Sequence, residues 1–385
     1  MGDYPHILFR TQWELSPRVY YRLGQCEAII SAISETPLKP EHHARLLHVS
    51  LIKGAQATTA IEGNTLSDEE IAKISEGEPL PPSKEYQKIE VRNILDAMNE
   101  LLDEVVTHHK ESAITPELLK RFHTMVGKNL GQHLDAVPGR FRKDPRVVGT
   151  YKCPDHADVP RLVEQLCHWL RTEFRYPSGD QSFPEAVLEA IIAHVYIEWI
   201  HPFGDGNGRT GRLVEFFILL RAGNPDVSSH ILSNFYNFTR PEYYRQLELA
   251  GKSGELTGFI EYAVQGFRDG LIETLKRVQD YQFETAWLRY IYDKFAEEKY
   301  RKEVFKRRRS LMLDLPVGES LTVDQIAEVS PRVAKGYANV TRQTIVNDLT
   351  VLVEMNLLGK DENRYTPRSE ALQMPSRVHR ERDPV

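Results

Sequence analysis

Between His201 and Arg212 the sequence HPFGDGNGRTGR gathers a base, an acid, an amide, several glycines and two guanidinium groups. An imidazole at a loop boundary can stay neutral near pH 7 and accept a proton. Asp205 supplies one hard oxygen ligand, suited to a magnesium ion whose other ligands are phosphate oxygens and water. Gly204, Gly206, Gly208 and Gly211 leave the backbone bare, so a ligand can come close to it. Asn207 stands at a helix start, where its amide can reach a phosphate oxygen and the unpaired N–H groups of the first turn favour an anion. Arg209 and Arg212 are three residues apart and fall on neighbouring parts of one helical face. Two rigid guanidinium groups beside exposed N–H groups suit a polyphosphate better than an isolated carboxylate. A lone histidine or a lone glycine-rich turn is more often structural; the combination reads as a phosphate site with its own base. It is neither a dinucleotide fingerprint, which needs a preceding strand, nor a Walker loop, which ends in Gly-Lys-Ser or Gly-Lys-Thr.

The elements that must hold these groups read as helices. FPEAVLEAIIAHVYIEWI, just before His201, is apolar enough for a central helix buried on more than one face. Pro202 restricts His201 to non-helical conformations, which presents the imidazole at the rim of a core. Upstream, RVYYRLGQCEAIISAISE has apolar residues at helical spacing, and TPLKPEHHARLLHVSLIKGAQATTAIEGN reads as a helix or pair of helices broken at Gly63. Ser67 precedes Glu70 in capping-box order, and a long amphipathic segment spans about 87–106. Residues 139–160 are the exception: GRFRKDPRVVGTYKCPDHADVP is rich in glycine, proline and basic residues, and RVVGTY reads as extended. This stretch is either a flap at the edge of a helical site or an ordinary surface loop.

After residue 300 the pattern changes to helix, helix and a polar turn returning as a strand, the order of a small winged helix-turn-helix domain over about 305–370. Its expected recognition helix begins NVTRQTIVNDL, where only Arg342 is basic and Asp348 is acidic. DNA-reading helices normally offer more donors than that, which favours an intramolecular or protein-contact role over nucleic-acid binding. KRRR at 306–309 reads as a phosphate contact or, more commonly, a solvated helix face. The last residues, ALQMPSRVHRERDPV, hold few large apolar groups and are expected to fray.

With 385 residues, 41% hydrophobic and 27% charged, the composition is that of a globular protein with two or three cores. A net charge of -6 supplies no overall positive field toward nucleic acid or anionic lipid. Cys26, Cys153 and Cys167 have no C-x-x-C spacing, which argues against a disulfide framework or a cysteine zinc site. MGDYPHILFRTQWELSP does not read as a charged region followed by an apolar secretory core, no stretch of 18 apolar residues occurs, and His6 stands where a myristoylation signal wants Ser or Thr. The expectation is a cytoplasmic location without membrane contact.

Residues 201–212 match every specified position of HPFx[D/E]GNGRxxR, the signature of the Fic family of nucleotidyltransferases, and the chain strongly resembles that family over about 15–290. The resemblance implies a mainly α fold: a helical Fic core with N-terminal helices, a short β-like flap and a C-terminal winged helix-turn-helix-like domain. The corresponding division is an N-terminal helical region at 1–110, a catalytic core at 111–290, a helical connector at 291–304, the winged-helix-like domain at 305–370 and a flexible tail at 371–385. It implies transfer of AMP from Mg2+-ATP to a protein Ser, Thr or Tyr hydroxyl, with pyrophosphate leaving. By the same resemblance His201 is the base, Asp205 the magnesium ligand, and Gly206, Asn207 and Gly208 steady the alpha phosphate. Arg209 then engages the departing phosphates and Arg212 the gamma phosphate. The segment from Arg140 to Thr150, with Val147, Val148, Gly149 and Thr150 at its centre, resembles the family flap that holds a target by strand-like pairing. TTAIEGN resembles the inhibitory pattern [S/T]xxxE[G/N], with Thr58, Glu62 and Gly63 in register, which implies that Glu62 competes with phosphate for Arg212. The implied partner is a protein substrate, this chain included; a homodimer and a DNA contact through the C-terminal domain stay open. So do AMP removal, another nucleotide donor, and a nucleotide-sensing DNA-binding regulator.

Overall fold

Ser182–Ile200, the run expected to form a central helix, does so, and it packs along its length against the Asn207–Arg221 helix. All but Pro184, Glu185, Leu188 and Glu198 of residues 183–200 are buried, as is every residue of 207–220. Each fully buried Ile, Val or Phe in this pair contributes roughly 1.5–3 kcal/mol. That apolar layer also contains polar side chains, and burial makes partners obligatory for them. Glu189 accepts from Arg221 at 2.9 Å, Glu215 accepts from the Tyr236 hydroxyl at 2.9 Å, and His194 Nε2 shares a hydrogen bond with the Tyr243 hydroxyl at 2.8 Å.

The computed structural model describes residues 4–75, 77, 81–109, 113–174, 182–296 and 303–372. The chain divides into two compact units, 1–278 and 279–385. In the first, Pro17–Glu35 and Pro40–Ile61 each start with proline at the first helical position, where a missing N–H costs nothing. Pro40–Ile61 packs against Glu85–Leu102 and Ile231–Phe238, and ends where Glu62 takes the C-cap and Gly63 turns the chain. Ser67 and Glu70 exchange the two expected capping-box bonds, at 3.1 and 3.3 Å. The amphipathic segment is helical over Glu85–Leu102 and closes in a π turn at Asp103–Thr107. Val147–Val148 and Tyr151–Lys152 form an antiparallel hairpin about Gly149 and Thr150, with both valines exposed.

In the second unit the helices Glu303–Asp314, Val323–Ala327, Pro331–Tyr337 and Arg342–Glu354 accompany a three-stranded antiparallel sheet. Arg364–Pro367 lies between Leu321–Thr322 and Leu358–Asp361 in that sheet, the arrangement of a winged-helix module. Thr322, Ser330 and Thr341 cap three of the helices through their hydroxyls, and Leu311, Ile326, Leu349 and Leu352 are buried in its core. Here the structure departs from the reading of 306–309 as a solvated or phosphate-touching face. Asp348 is buried and accepts from Arg307 Nε at 2.8 Å, Arg308 Nε at 2.7 Å and the Tyr337 hydroxyl at 3.1 Å. Arg309 lies over the Tyr292 ring, and Arg342 pairs with Asp324. A buried carboxylate on the expected recognition helix must be neutralised from within, which commits two of the four cations to the fold.

Cys26, Cys153 and Cys167 are free and buried. Among the described residues no helix is long and apolar enough to cross a membrane. The expected tail lies outside the described residues beyond Leu372, as does 297–302 of the expected connector.

Candidate active site

The loop between the two packed helices carries the motif, and its shape is set by side chains that the ligand does not need to supply. Asn207 accepts from the Phe203 amide at 2.9 Å and donates to the Phe203 carbonyl at 3.0 Å. One Nδ2 hydrogen and the Oδ1 thus close the loop, and Asn207 also lines the cavity described below. Gly206 precedes the helix with φ 80, a left-handed conformation that glycine takes without a Cβ penalty. His123 stacks on Phe203 with ring centroids 3.8 Å apart. Its Nδ1 accepts from the Gly139 amide at 2.9 Å, so Nε2 donates to the Asp205 carbonyl, also at 2.9 Å. Burial pushes its pKa down to about 4, which keeps the ring neutral and this donor–acceptor arrangement intact.

His201 adopts φ 48, the left-handed region where a non-glycine residue is held only by its surroundings. Arg142 provides much of that hold. It is buried and donates from Nε to the His201 carbonyl at 2.7 Å, with its other nitrogens on the carbonyls of Asp144 and Pro154. The backbone of Arg142 also donates to the Pro202 carbonyl at 2.9 Å. Burial lowers the His201 pKa to about 4; Arg142 lowers it too, against the Glu198 carbonyl, Glu62 and Asp205, which raise it. The imidazole is thus a neutral base throughout the physiological range. The acid limb of kcat/KM is accordingly expected to fall as pH drops through about 4 and not through the ordinary 6.5. A pH profile of product formation checks this, and a limb near 6.5 contradicts it.

His201, Asp205, Gly206, Asn207, Gly208 and Arg212 line one cavity of about 710 Å³, together with Glu62, Glu198, Tyr243 and residues 147–152 of the hairpin. That volume suits a nucleotide-sized ligand. The Tyr151 hydroxyl donates to the Trp199 carbonyl at 2.8 Å, anchoring the hairpin to the helix that delivers His201. Val147, Val148, Gly149 and Thr150 therefore sit beside the motif.

Arg212 is the most constrained group in the site. Its side chain is 1% exposed, donates from Nε to Thr58 Oγ1 at 2.7 Å, and from Nη2 to the Thr58 carbonyl at 2.9 Å and Glu62 Oε1 at 2.6 Å. Burial works against ionised Glu62, but Arg212, with Arg209 and His201 behind it, outweighs burial and holds the carboxyl below its ordinary range. Gly208 is where this carboxylate presses closest: a Cβ there would collide with Glu62 Oε1. The acid lies over the first turn of the motif helix, the place where unpaired N–H groups favour an anion. Gly63 and the end of the Pro40–Ile61 helix fix it there, and the Tyr244 hydroxyl donates to the Ile61 carbonyl at 3.1 Å.

Arg209 is held by two acids. It is absent from the cavity wall; Nη1 pairs with Glu90 Oε1 at 2.7 Å and Nη2 with Asp205 Oδ1 at 3.2 Å. The two arginines share a helix but pair with different acids. Asp205 also accepts from the amides of Gly206 and Asp135, at 2.5 and 3.4 Å. Its acceptor-only carboxylate fits one position of a magnesium ion, and no cluster of three or more candidate ligands exists among the described residues. Phosphate oxygens and water must then complete any coordination. Arg142, His123 and Glu90 escaped the reading of the sequence; only the basic GRFR run hinted at the first of them.

Residues 113–219 match the Fic/DOC family model. The protein adenylyltransferase Fic of Aedes aegypti is 27% identical over 253 residues, 64% of this chain and 46% of that protein. The protein of the same description from Culex quinquefasciatus is 30% identical over 207 residues, 53% of this chain and 38% of that one. The chain thus spans less than half the length of these relatives. A Fic family protein from Desulfovibrio desulfuricans G20 shares the fold over 93% of this chain and 98% of its own, with a TM-score of 0.57 and 22% identity. Fic-1 (residues 134–508) of Caenorhabditis elegans does so over 68% of this chain and 73% of its own, with a TM-score of 0.55 and 22% identity. With the motif at 201–212 inside the matched residues, residues 113–219 match a Fic/DOC domain, and the chain is similar in sequence and in fold to known Fic adenylyltransferases.

Proposed function

We propose that this protein transfers the adenylyl group of ATP to a hydroxyl of a protein, and that Glu62 restrains it. The observation that carries the reading is the convergence of a neutral His201, Asp205, the bare first turn at Gly206 and Gly208, and Arg212 on one cavity beside an exposed hairpin. The target's modified segment would pair along Val147–Val148 with its hydroxyl toward His201. His201 Nδ1 is buried, which leaves Nε2 to take the proton as the hydroxyl oxygen bonds to the alpha phosphorus. The bond from that phosphorus to the bridging oxygen breaks, and pyrophosphate leaves. The amides of the first turn face the charge that gathers on the alpha phosphate, and Arg212 holds the gamma phosphate once Glu62 withdraws. When bound at Asp205, magnesium would neutralise the negative phosphate oxygens. Asp205, kept in place by Arg209 and two amides, fixes where that charge sits.

With Glu62 on Arg212, ATP can enter but its terminal phosphate lacks a cation, so the alpha phosphate is turned away from attack. The experiment is intact-mass detection of AMP on the protein or on an added target, with magnesium titrated. Asp205→Ala is expected to shift the magnesium dependence and to lower transfer by about 100-fold at moderate magnesium, the scale of one preorganised electrostatic group. Thermal unfolding without nucleotide should change little, because the carboxylate is more than a third exposed. A variant with the parent's rate and magnesium response contradicts Asp205 as the metal ligand.

A further inference from the structure

Outside the cavity, a line of hydrogen bonds joins the inhibitory turn to the metal carboxylate. Asn64, two residues after Glu62, is buried and donates from Nδ2 to Glu90 Oε2 at 3.0 Å and to the Gln87 carbonyl at 3.0 Å. Its Oδ1 accepts from the Leu66 amide at 3.1 Å, so both ends of the amide are fixed. Glu90 gives its other oxygen to Arg209 Nη1 at 2.7 Å, and Arg209 gives Nη2 to Asp205 Oδ1 at 3.2 Å. Arg209 and Glu90 are 4% and 12% exposed, so little water screens the pair.

We propose that Glu90 is a positioning residue for the metal carboxylate: it holds Arg209 against Asp205, cancels the charge of that arginine, and through Asn64 ties both to the turn that follows Glu62. The inference rests on the reading of Asp205 as the magnesium ligand. A guanidinium beside a metal carboxylate competes with the metal for the same oxygens. Glu90, Arg209 and Asp205 together carry one net negative charge toward the cavity; without Glu90 the sum is zero. Removing Glu90 therefore weakens the attraction of Asp205 for a cation and frees Arg209 to tighten on it. Because Asn64 belongs to the inhibitory turn, a shift of Glu62 away from Arg212 pulls on the same line. One segment then acts on both halves of the site, on Arg212 directly and on Asp205 at a distance.

The test measures ATP binding by calorimetry in the Glu62→Gly chain, with magnesium and with chelator. The readout is the factor by which magnesium tightens ATP. Glu90→Gln keeps the shape and removes the charge; it is expected to reduce that factor by about ten-fold, or 1.4 kcal/mol. Glu90→Asp should recover part of the loss. Asn64→Ala leaves the ion pair but loosens its anchor, and a reduction of about three-fold is expected. A merely structural role would weaken binding with and without magnesium alike. Should Glu90→Gln unfold, Asn64→Ala carries the test alone. A magnesium factor equal to the parent's in the folded variants overturns the inference and leaves the function standing. A parent whose ATP binding ignores magnesium overturns the reading of Asp205 and the inference with it.

Discussion

His201→Ala is expected to lower adenylyl transfer by at least about 100-fold, the scale of a positioned general base, while ATP still binds. The loss is chemical because the ring's environment prepares it for one task. Burial and Arg142 hold it neutral, Nδ1 is enclosed, and the left-handed backbone aims it into the cavity. Stability should move less. Histidine and alanine both carry a Cβ at φ 48, so the substitution adds little backbone strain. The comparison belongs in the Glu62→Gly chain, where the brake does not mask the rate. Equal rates in folded parent and variant contradict His201 as the base.

How far this site is legible in the sequence depends on how far apart its parts lie along the chain. His201 to Arg212 is contiguous, so the loop, the helix start and the cations can be read together. The central helix is legible because residues 183–200 are apolar on every face. Glu62 becomes legible only once the motif supplies Arg212 as its partner. Glu90, His123 and Arg142 reach the motif from 119, 82 and 59 residues away, and each looks alone like an ordinary helix or loop residue. Periodicity places them on elements without revealing what they face. Spacing puts Arg209 beside Arg212, but it does not reveal that the two guanidinium groups have different partners. In the second unit Asp348, an acid unfavourable for reading DNA, is the buried anchor of Arg307 and Arg308, partners that periodicity does not reveal.

Glu62→Gly is expected to speed forward transfer by at least about ten-fold and at the same time to lower stability. The opposite signs have one cause. Arg212 is fully buried, and losing Glu62 leaves it with Thr58 as its remaining protein partner, which is unfavourable in the empty site and favourable once a phosphate arrives. Arg212→Ala should abolish the gain even in the Glu62→Gly chain, since the cation released by the first change is deleted by the second. The two changes are therefore strongly non-additive, as expected for groups in direct contact. Thermal unfolding with and without Mg2+-ATP supplies the independent readout: the ligand should restore more stability to the Glu62→Gly chain than to the parent.

The most direct test of the central claim follows AMP incorporation by intact mass in parent, Glu62→Gly, Arg212→Ala and the double variant, all shown to be folded, under saturating Mg2+-ATP. AMP-modified protein is supplied separately, so that slower removal is not mistaken for faster addition. The expected result is slow incorporation in the parent, fast incorporation in Glu62→Gly, and loss of incorporation in both chains that lack Arg212. Incorporation by Glu62→Gly at the parent's rate, with no Glu62-dependent removal of AMP, contradicts the account.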